Sequence, residues 1–239
     1  MIKAVLFDLD DTLFDHRGCA RDALAAVQQS HERLREMPFA TLEHAHAGFL
    51  EELHAEVMLG RLPLETARVE RFRRLLEAAG TPPEPGMAAA AAAIYRDTYR
   101  AARRGMSGAA ALLAAIAARA RIAVVSNNLL EEQQDKLRTC GLDRFVDVLV
   151  VSEEAGVSKP NPVIFRITLD RLNVSSDEAV MVGDSWNADV AGARAVGIRA
   201  IWFNPLGAPA PAGEVAVTEL RSFDPVDAAV RLILDAHRD

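Results

Sequence analysis

The feature that most restricts this chain is a change of pattern near residue 105. Beyond it, short apolar runs alternate with helical periods. A helix over 109–118 leads to a strand over 122–126 (IAVVS), and a helix over 130–140 leads to a strand over 146–152. A helix over 162–172 then precedes a strand over 179–184, and a helix over 188–196 precedes a strand over 198–203. A last strand near 215–217 and a helix over 225–236 close the sequence. Apolar runs this short suit strands covered on both faces, and their alternation with helices calls for a parallel sheet wound by right-handed crossovers. Before residue 105 only one segment, KAVLF at 3–7, belongs to that scheme.

From Gly18 to Gly105 the apolar residues recur at three and four instead. The series are Leu24, Val27, His31, Leu34; Leu42, Ala45, Phe49, Leu53, Val57; Val69, Phe72, Leu76, Ala79; and Met87, Ala91, Ile94, Thr98. Gly60, Pro63, Gly80 and the prolines from Pro82 to Pro85 separate them. The expectation is an α/β fold. A parallel sheet flanked by helices is formed by 1–15 and 106–239, and it is interrupted after its first strand by an all-helical insertion of four helices over 16–105.

Composition narrows the function. A net charge of −7 over 239 residues, with no basic run, argues against nucleic acid as a partner. Cys19 and Cys140 match no metal or redox spacing and suit a reducing compartment. The apolar stretch from Gly108 stops at Arg119, short of the roughly 18 residues that span a bilayer. Asp8 interrupts the N-terminal apolar run before it makes a leader. A cytoplasmic protein with no membrane partner is expected, as a monomer or homodimer.

In an open parallel sheet, ligands bind beyond the carboxyl ends of the strands, near the switch in strand order. Every notable polar cluster falls at such an end: Asp8, Asp10 and Asp11 after the first strand, Ser126 and Asn127 after the second, Lys159 in the loop after the third, and Asp184 at the fourth. Asp8 and Asp10, two apart in extended chain, point the same way at roughly 6–7 Å. One can attack a substrate while the other moves a proton. With Asp184 they make a three-acid cluster that is costly without compensation. Mg²⁺ held by carboxylates beside a phosphate is the usual solution. Lys159 and Ser126 then offer a positive charge and a donor to phosphate oxygens, with Asn127 beside them.

These segments, FDLDDTL, VVSNN, GVSKPNPVIF and VGDSWNAD in that order, resemble the four motifs of the haloacid-dehalogenase superfamily of phosphohydrolases, in the subfamily with a helical cap after the first strand. The resemblance covers essentially the whole chain and implies a Rossmann-like core. It implies Asp8 as nucleophile, forming an aspartyl-phosphate, and Asp10 as acid and then base. Ser126, Asn127 and Lys159 would hold the phosphoryl group. Asp8, the Asp10 backbone carbonyl and Asp184 would hold Mg²⁺, supported from further out by Asp189. Thr12 would shape the loop after the strand.

The expected activity is Mg²⁺-dependent hydrolysis of a small phosphorylated metabolite. The alternatives are a 2-haloacid dehalogenase and a non-catalytic module that binds a phosphorylated ligand. Dehalogenases of the superfamily lack the second acid of the first motif, which Asp10 supplies here. Phosphonate hydrolases of the superfamily use a cap lysine, and no lysine lies between Lys3 and Lys136. In the helical insertion, His44 and His46 are two apart and face different sides of a helix. His16, Arg17, Arg61, Arg68 and Arg71 are candidates to meet an anionic substrate, against a plain solvated face for the arginines. Trp186 is expected to pack against its loop.

Overall fold

The structure, a computed structural model, describes residues 1–80 and 84–235. Pro82, Pro83 and the expected end of the last helix at Ala236 lie outside the described residues. Two compact units emerge: Met1–Asp15 with Arg104–Asp239, and His16–Arg103.

The first unit is built on six parallel strands: β1 (Ala4–Phe7), β2 (Arg121–Ser126), β3 (Val148–Val151), β4 (Ala179–Gly183), β5 (Arg199–Phe203) and β6 (Thr218–Leu220). Their order is β3-β2-β1-β4-β5-β6. The chain winds outward from β1 to β3, then returns to the other side of β1 for β4. Strand β1 therefore sits at the switch point, paired through Phe7 with Val124 on one side and Val182 on the other. All four of its residues are inaccessible to solvent, as an unbroken apolar run requires. Leu6, Val125, Met181, Ile164 and Phe165 belong to one continuous core. Among the described residues no helix is long and apolar enough to cross a membrane.

The second unit holds α1 (His16–Ser30), α2 (Glu32–Glu36), α3 (Phe39–Met58), α4 (Leu64–Ala78) and α5 (Met87–Ala102). Leu24, Val27, Leu42, Phe72, Leu76 and Tyr95 form its core. Five helices stand where four are expected. His31 is extended (φ −134°, ψ 124°), and the buried Gln28 amide donates to the carbonyls of Leu34 (3.2 Å) and Met37 (2.8 Å). That amide satisfies the end of a separate short helix, so the expected single period breaks in two.

The remaining helices are α6 (Ala109–Ala117), α7 (Leu130–Thr139), α8 (Ser152–Ala155), α9 (Pro162–Leu172), α10 (Gly192–Arg194) and α11 (Val226–Leu234). Strand β6 lies at 218–220, not near 215–217. Leu220 is the buried residue there, pairing with Phe203, while Val215 is 66% exposed. The expected helix over 188–196 is a π-helical turn, Trp186–Ala191, running into α10.

Candidate active site

The end of β1 is fixed by its neighbour. The Asp8 N–H donates to the Val182 carbonyl at 2.9 Å, which extends the β1–β4 pairing one residue beyond the strand. The chain then turns sharply: the N–H groups of Thr12, Leu13 and Phe14 all converge on the Leu9 carbonyl. Asp11 adopts φ +63°, a left-handed conformation that aspartate tolerates better than most side chains. The fully buried Thr12 hydroxyl accepts the Asp184 N–H at 3.0 Å, so the turns after β1 and β4 are tied together. The Trp202 indole N–H donates to the Asp184 carbonyl at 2.9 Å from the other side.

Lys159 reaches into this region from the loop after β3. Its ammonium donates to Asp8 Oδ1 at 2.6 Å, Asp189 Oδ1 at 2.6 Å and the Val125 carbonyl at 2.7 Å, which uses all three protons. Burial alone would pull this ammonium down, but the carboxylates of Asp189 and Asp8 outweigh it and hold the group above the ordinary lysine value. Asp8 moves the other way for a carboxyl. Burial, opposed by Lys159 and reinforced by Asp189 and Asp184, pushes it well above the usual range. Burial is the larger cause, and the carboxylates of Asp189 and Asp184 add to it.

Asp189 owes its position to the π-helical turn. The widened turn directs both Asp189 N–H (2.9 Å) and Val190 N–H (3.3 Å) to the Ser185 carbonyl. The Asp189 carboxylate folds back so that Oδ2 accepts the Ser185 N–H at 3.0 Å. A side chain at residue 183 would collide with it: a Cβ there would lie 2.4 Å from the Asp189 carboxyl carbon. Gly183 is thus required by the close approach of this acid to the strand.

Asp10 is held from another direction. The Lys136 ammonium lies 2.6 and 2.8 Å from its two oxygens, and Gln133 Nε2 donates to it at 2.9 Å. Gln133 Nε2 also lies 2.6 Å from Ser126 Oγ. The hydroxyl accepts that bond and keeps its own proton to donate elsewhere. The Asn127 side chain bonds the Lys159 backbone, accepting the N–H at 2.6 Å and donating to the carbonyl at 2.9 Å. The amide therefore positions the lysine, and its Nδ2 carries a second proton besides the one donated there.

Asp8, Asn127, Lys159 and Asp189 lie in one bonded network, Asp10 and Ser126 are joined in a second through Gln133, and Asp184 is tied to the turn after β1 through Thr12. Gln133 and Lys136 were not foreseen. Both are buried on α7, three apart and so on one face. The scarcity of lysine was a usable signal for Lys136 as well as for Lys159. Trp186 packs edge-on against Trp202, with ring centres 5.0 Å apart.

One oxygen from each of Asp8, Asp184 and Asp189 lies within 4.8 Å of the others. Three hard oxygen donors converging in this way fit a hard divalent cation such as Mg²⁺.

The family model for haloacid dehalogenase-like hydrolases matches residues 2–197. The chain belongs to that family. As a haloacid dehalogenase-like hydrolase it has well-covered relatives. It is 35% identical over 208 residues to the ribulose-1,5-bisphosphate 5-phosphatase of Halopiger xanaduensis, covering 86% of each chain. It is 35% identical over 199 residues to the glyceraldehyde 3-phosphate phosphatase of Methanopyrus kandleri, covering 83% of this chain and 82% of that protein. The phosphoserine phosphatase of Thermus thermophilus is 34% identical over 235 residues, with 84% and 88% covered. Among solved structures, the magnesium-bound HAD-hydrolase YfnB from Bacillus subtilis superposes with a TM-score of 0.74 at 23% identity, covering 96% and 98%. The L-2-haloacid dehalogenase of Xanthobacter autotrophicus gives 0.71 at 20%, covering 97% and 99%. At these identities the two structures speak for the fold.

Proposed function

We propose that this hydrolase is a Mg²⁺-dependent phosphatase of a small phosphorylated metabolite, working through an aspartyl-phosphate on Asp8. One observation carries the reading: three carboxylates, Asp8, Asp184 and Asp189, converge at the switch point of the sheet, and a single buried ammonium, Lys159, bonds two of them. That arrangement is short of positive charge and suits a cation together with a phosphate. The phosphatase names of the relatives agree with it.

In the proposed reaction an Asp8 oxygen attacks phosphorus and the bond to the leaving oxygen breaks. Asp10 gives that oxygen its proton. Asp10 then takes a proton from water as the water oxygen attacks phosphorus, and the bond to Asp8 breaks to release inorganic phosphate. Ser126 donates its hydroxyl proton to a phosphoryl oxygen, and the Asn127 backbone N–H does likewise. Lys159 keeps Asp8 ionised and oriented. Asp8, the Asp10 backbone carbonyl and Asp184 would hold Mg²⁺, which when bound neutralises charge on the transferring phosphoryl group. Asp189, with one oxygen on Lys159 and the other on Ser185, supports from behind. The unit His16–Arg103 is assigned the part of a cap that selects the leaving group.

The test is phosphate release from a panel of phosphomonoesters, with Mg²⁺ and with chelator, for the wild type and Asp8→Asn. Turnover that needs Mg²⁺ and vanishes in a folded Asp8→Asn protein supports the reading. Halide release from 2-haloacids without Mg²⁺, or undiminished hydrolysis by Asp8→Asn, would sink it.

A further inference from the structure

Helix α4 carries four arginines within seven residues, and three of them have acidic partners. Arg68 pairs with Glu65, Arg73 with Glu70, and Arg74 with Glu52 and Glu70. Arg71, the buried one at 8% exposure, pairs with no carboxylate among the described residues. Its guanidinium carbon lies 4.8 Å from the centre of the Tyr95 ring and 5.1 Å from that of Phe72, and its Nε is buried without a hydrogen-bond partner. Stacking on aromatic faces offsets part of the cost of burying a cation, yet it leaves the N–H groups unsatisfied.

The surroundings are aromatic and neutral and bring no negative charge. The His46 ring lies 4.9 Å from Tyr95 and 5.8 Å from Phe72, and its Nε2 is likewise buried with no partner. Tyr99 stacks on Tyr95 at 6.0 Å and bonds His16 Nδ1 through its hydroxyl at 2.8 Å. The Tyr95 phenol, whose pKa burial pushes up to about 12, stays neutral and does not balance the arginine. A buried guanidinium with an unpartnered Nε–H, an unpartnered imidazole nitrogen and no neutralising acid among the described residues make a built site for an anion.

We propose that the helical unit holds a compact oxyanion, a carboxylate or a phosphate group, on the Arg71 guanidinium. The oxyanion is a free anion taken from solution.

The test uses the full chain. ¹⁵N-labelled protein is titrated with sodium sulfate against sodium chloride of equal ionic strength. The Arg71 Nε–H resonance is followed, assigned by its loss in Arg71→Met or, if that variant does not fold, in Arg71→Lys. A saturable shift with sulfate alone is expected, and its absence overturns the proposal.

Discussion

The Lys136 ammonium sits 2.6 and 2.8 Å from the two carboxylate oxygens of Asp10, and its side chain is 4% exposed against 25% for the acid. The carboxylate proposed to move the proton is thus held by a buried cation, while its side chain stays partly accessible. Lys136→Met keeps most of the apolar stem and removes the charge, which lies 5.3 Å from the centre of the Phe14 ring. A fall in kcat of about 10–100-fold is expected, with KM little changed. Stability should drop by about 1–3 kcal/mol, because Gln133 still bonds Asp10. Steady-state kinetics and thermal denaturation read both, and an unchanged kcat would take Lys136 out of the mechanism.

Lys159 is the sole ammonium bonded to Asp8 and Asp189, so its removal leaves three acids facing one another. Lys159→Met is expected to cost about 3–5 kcal/mol in chelator, the usual penalty for orphaning a buried ion. Adding Mg²⁺ should then raise Tm by more in the variant than in the wild type, since the ion replaces part of the missing charge. Equal Mg²⁺-induced shifts would mean that the cation and the lysine do not share the same carboxylates. Activity is expected to fall by about 10³-fold.

The sheet and the strand-end acids were legible because their signals are local. A run such as AVLF can only be buried on both faces, and Asp8, Ser126 and Asp184 each follow such a run directly. What escaped reading depends on distant partners. Nothing near Gln133 or Lys136 marks them as buried; their reason is Asp10, more than 120 residues earlier. Periodicity placed Arg71 on a helix but could not say that Phe72 and Tyr95 would enclose it. The Val215–Val217 alternation looked like a strand, yet Leu220 supplies the buried contact that sets the edge register. The π-helical turn likewise serves a distant partner, since the Asp189 it positions bonds Lys159 across 30 residues.

Gly183 tests how tightly that contact is made. A Cβ at residue 183 would meet the Asp189 carboxyl carbon at 2.4 Å and its Cβ at 2.5 Å. Asp189 cannot swing aside without breaking its bonds to Lys159 and the Ser185 N–H. Gly183→Ala is therefore expected to destabilise by about 1–3 kcal/mol, as overpacking does. Turnover should fall with it, because Lys159 loses one of its three anchors. Denaturant unfolding and kcat measured side by side decide this. A variant as stable and active as the wild type would show that the π-helical turn yields freely.

His46 gives the helical unit its own pH response. Burial, followed by the charges of Arg71 and His16, pulls its pKa from 6.5 to about 3. In the folded protein the ring is neutral over a range in which the unfolded chain would protonate it. The unfolded state therefore binds more protons between these values, and stability falls as pH drops. The contribution is complete above about pH 6.5 and is lost progressively toward pH 3. At about 1.4 kcal/mol per unit, the loss approaches 4–5 kcal/mol at the acid end. His46→Leu removes the proton site while filling the space between Phe72 and Tyr95. Comparing urea unfolding at pH 7 and pH 4 for both proteins isolates the effect, because any packing cost of the substitution cancels in the difference. The wild type should lose more stability than the variant across that interval. Equal losses would place the acid sensitivity of this unit on other groups.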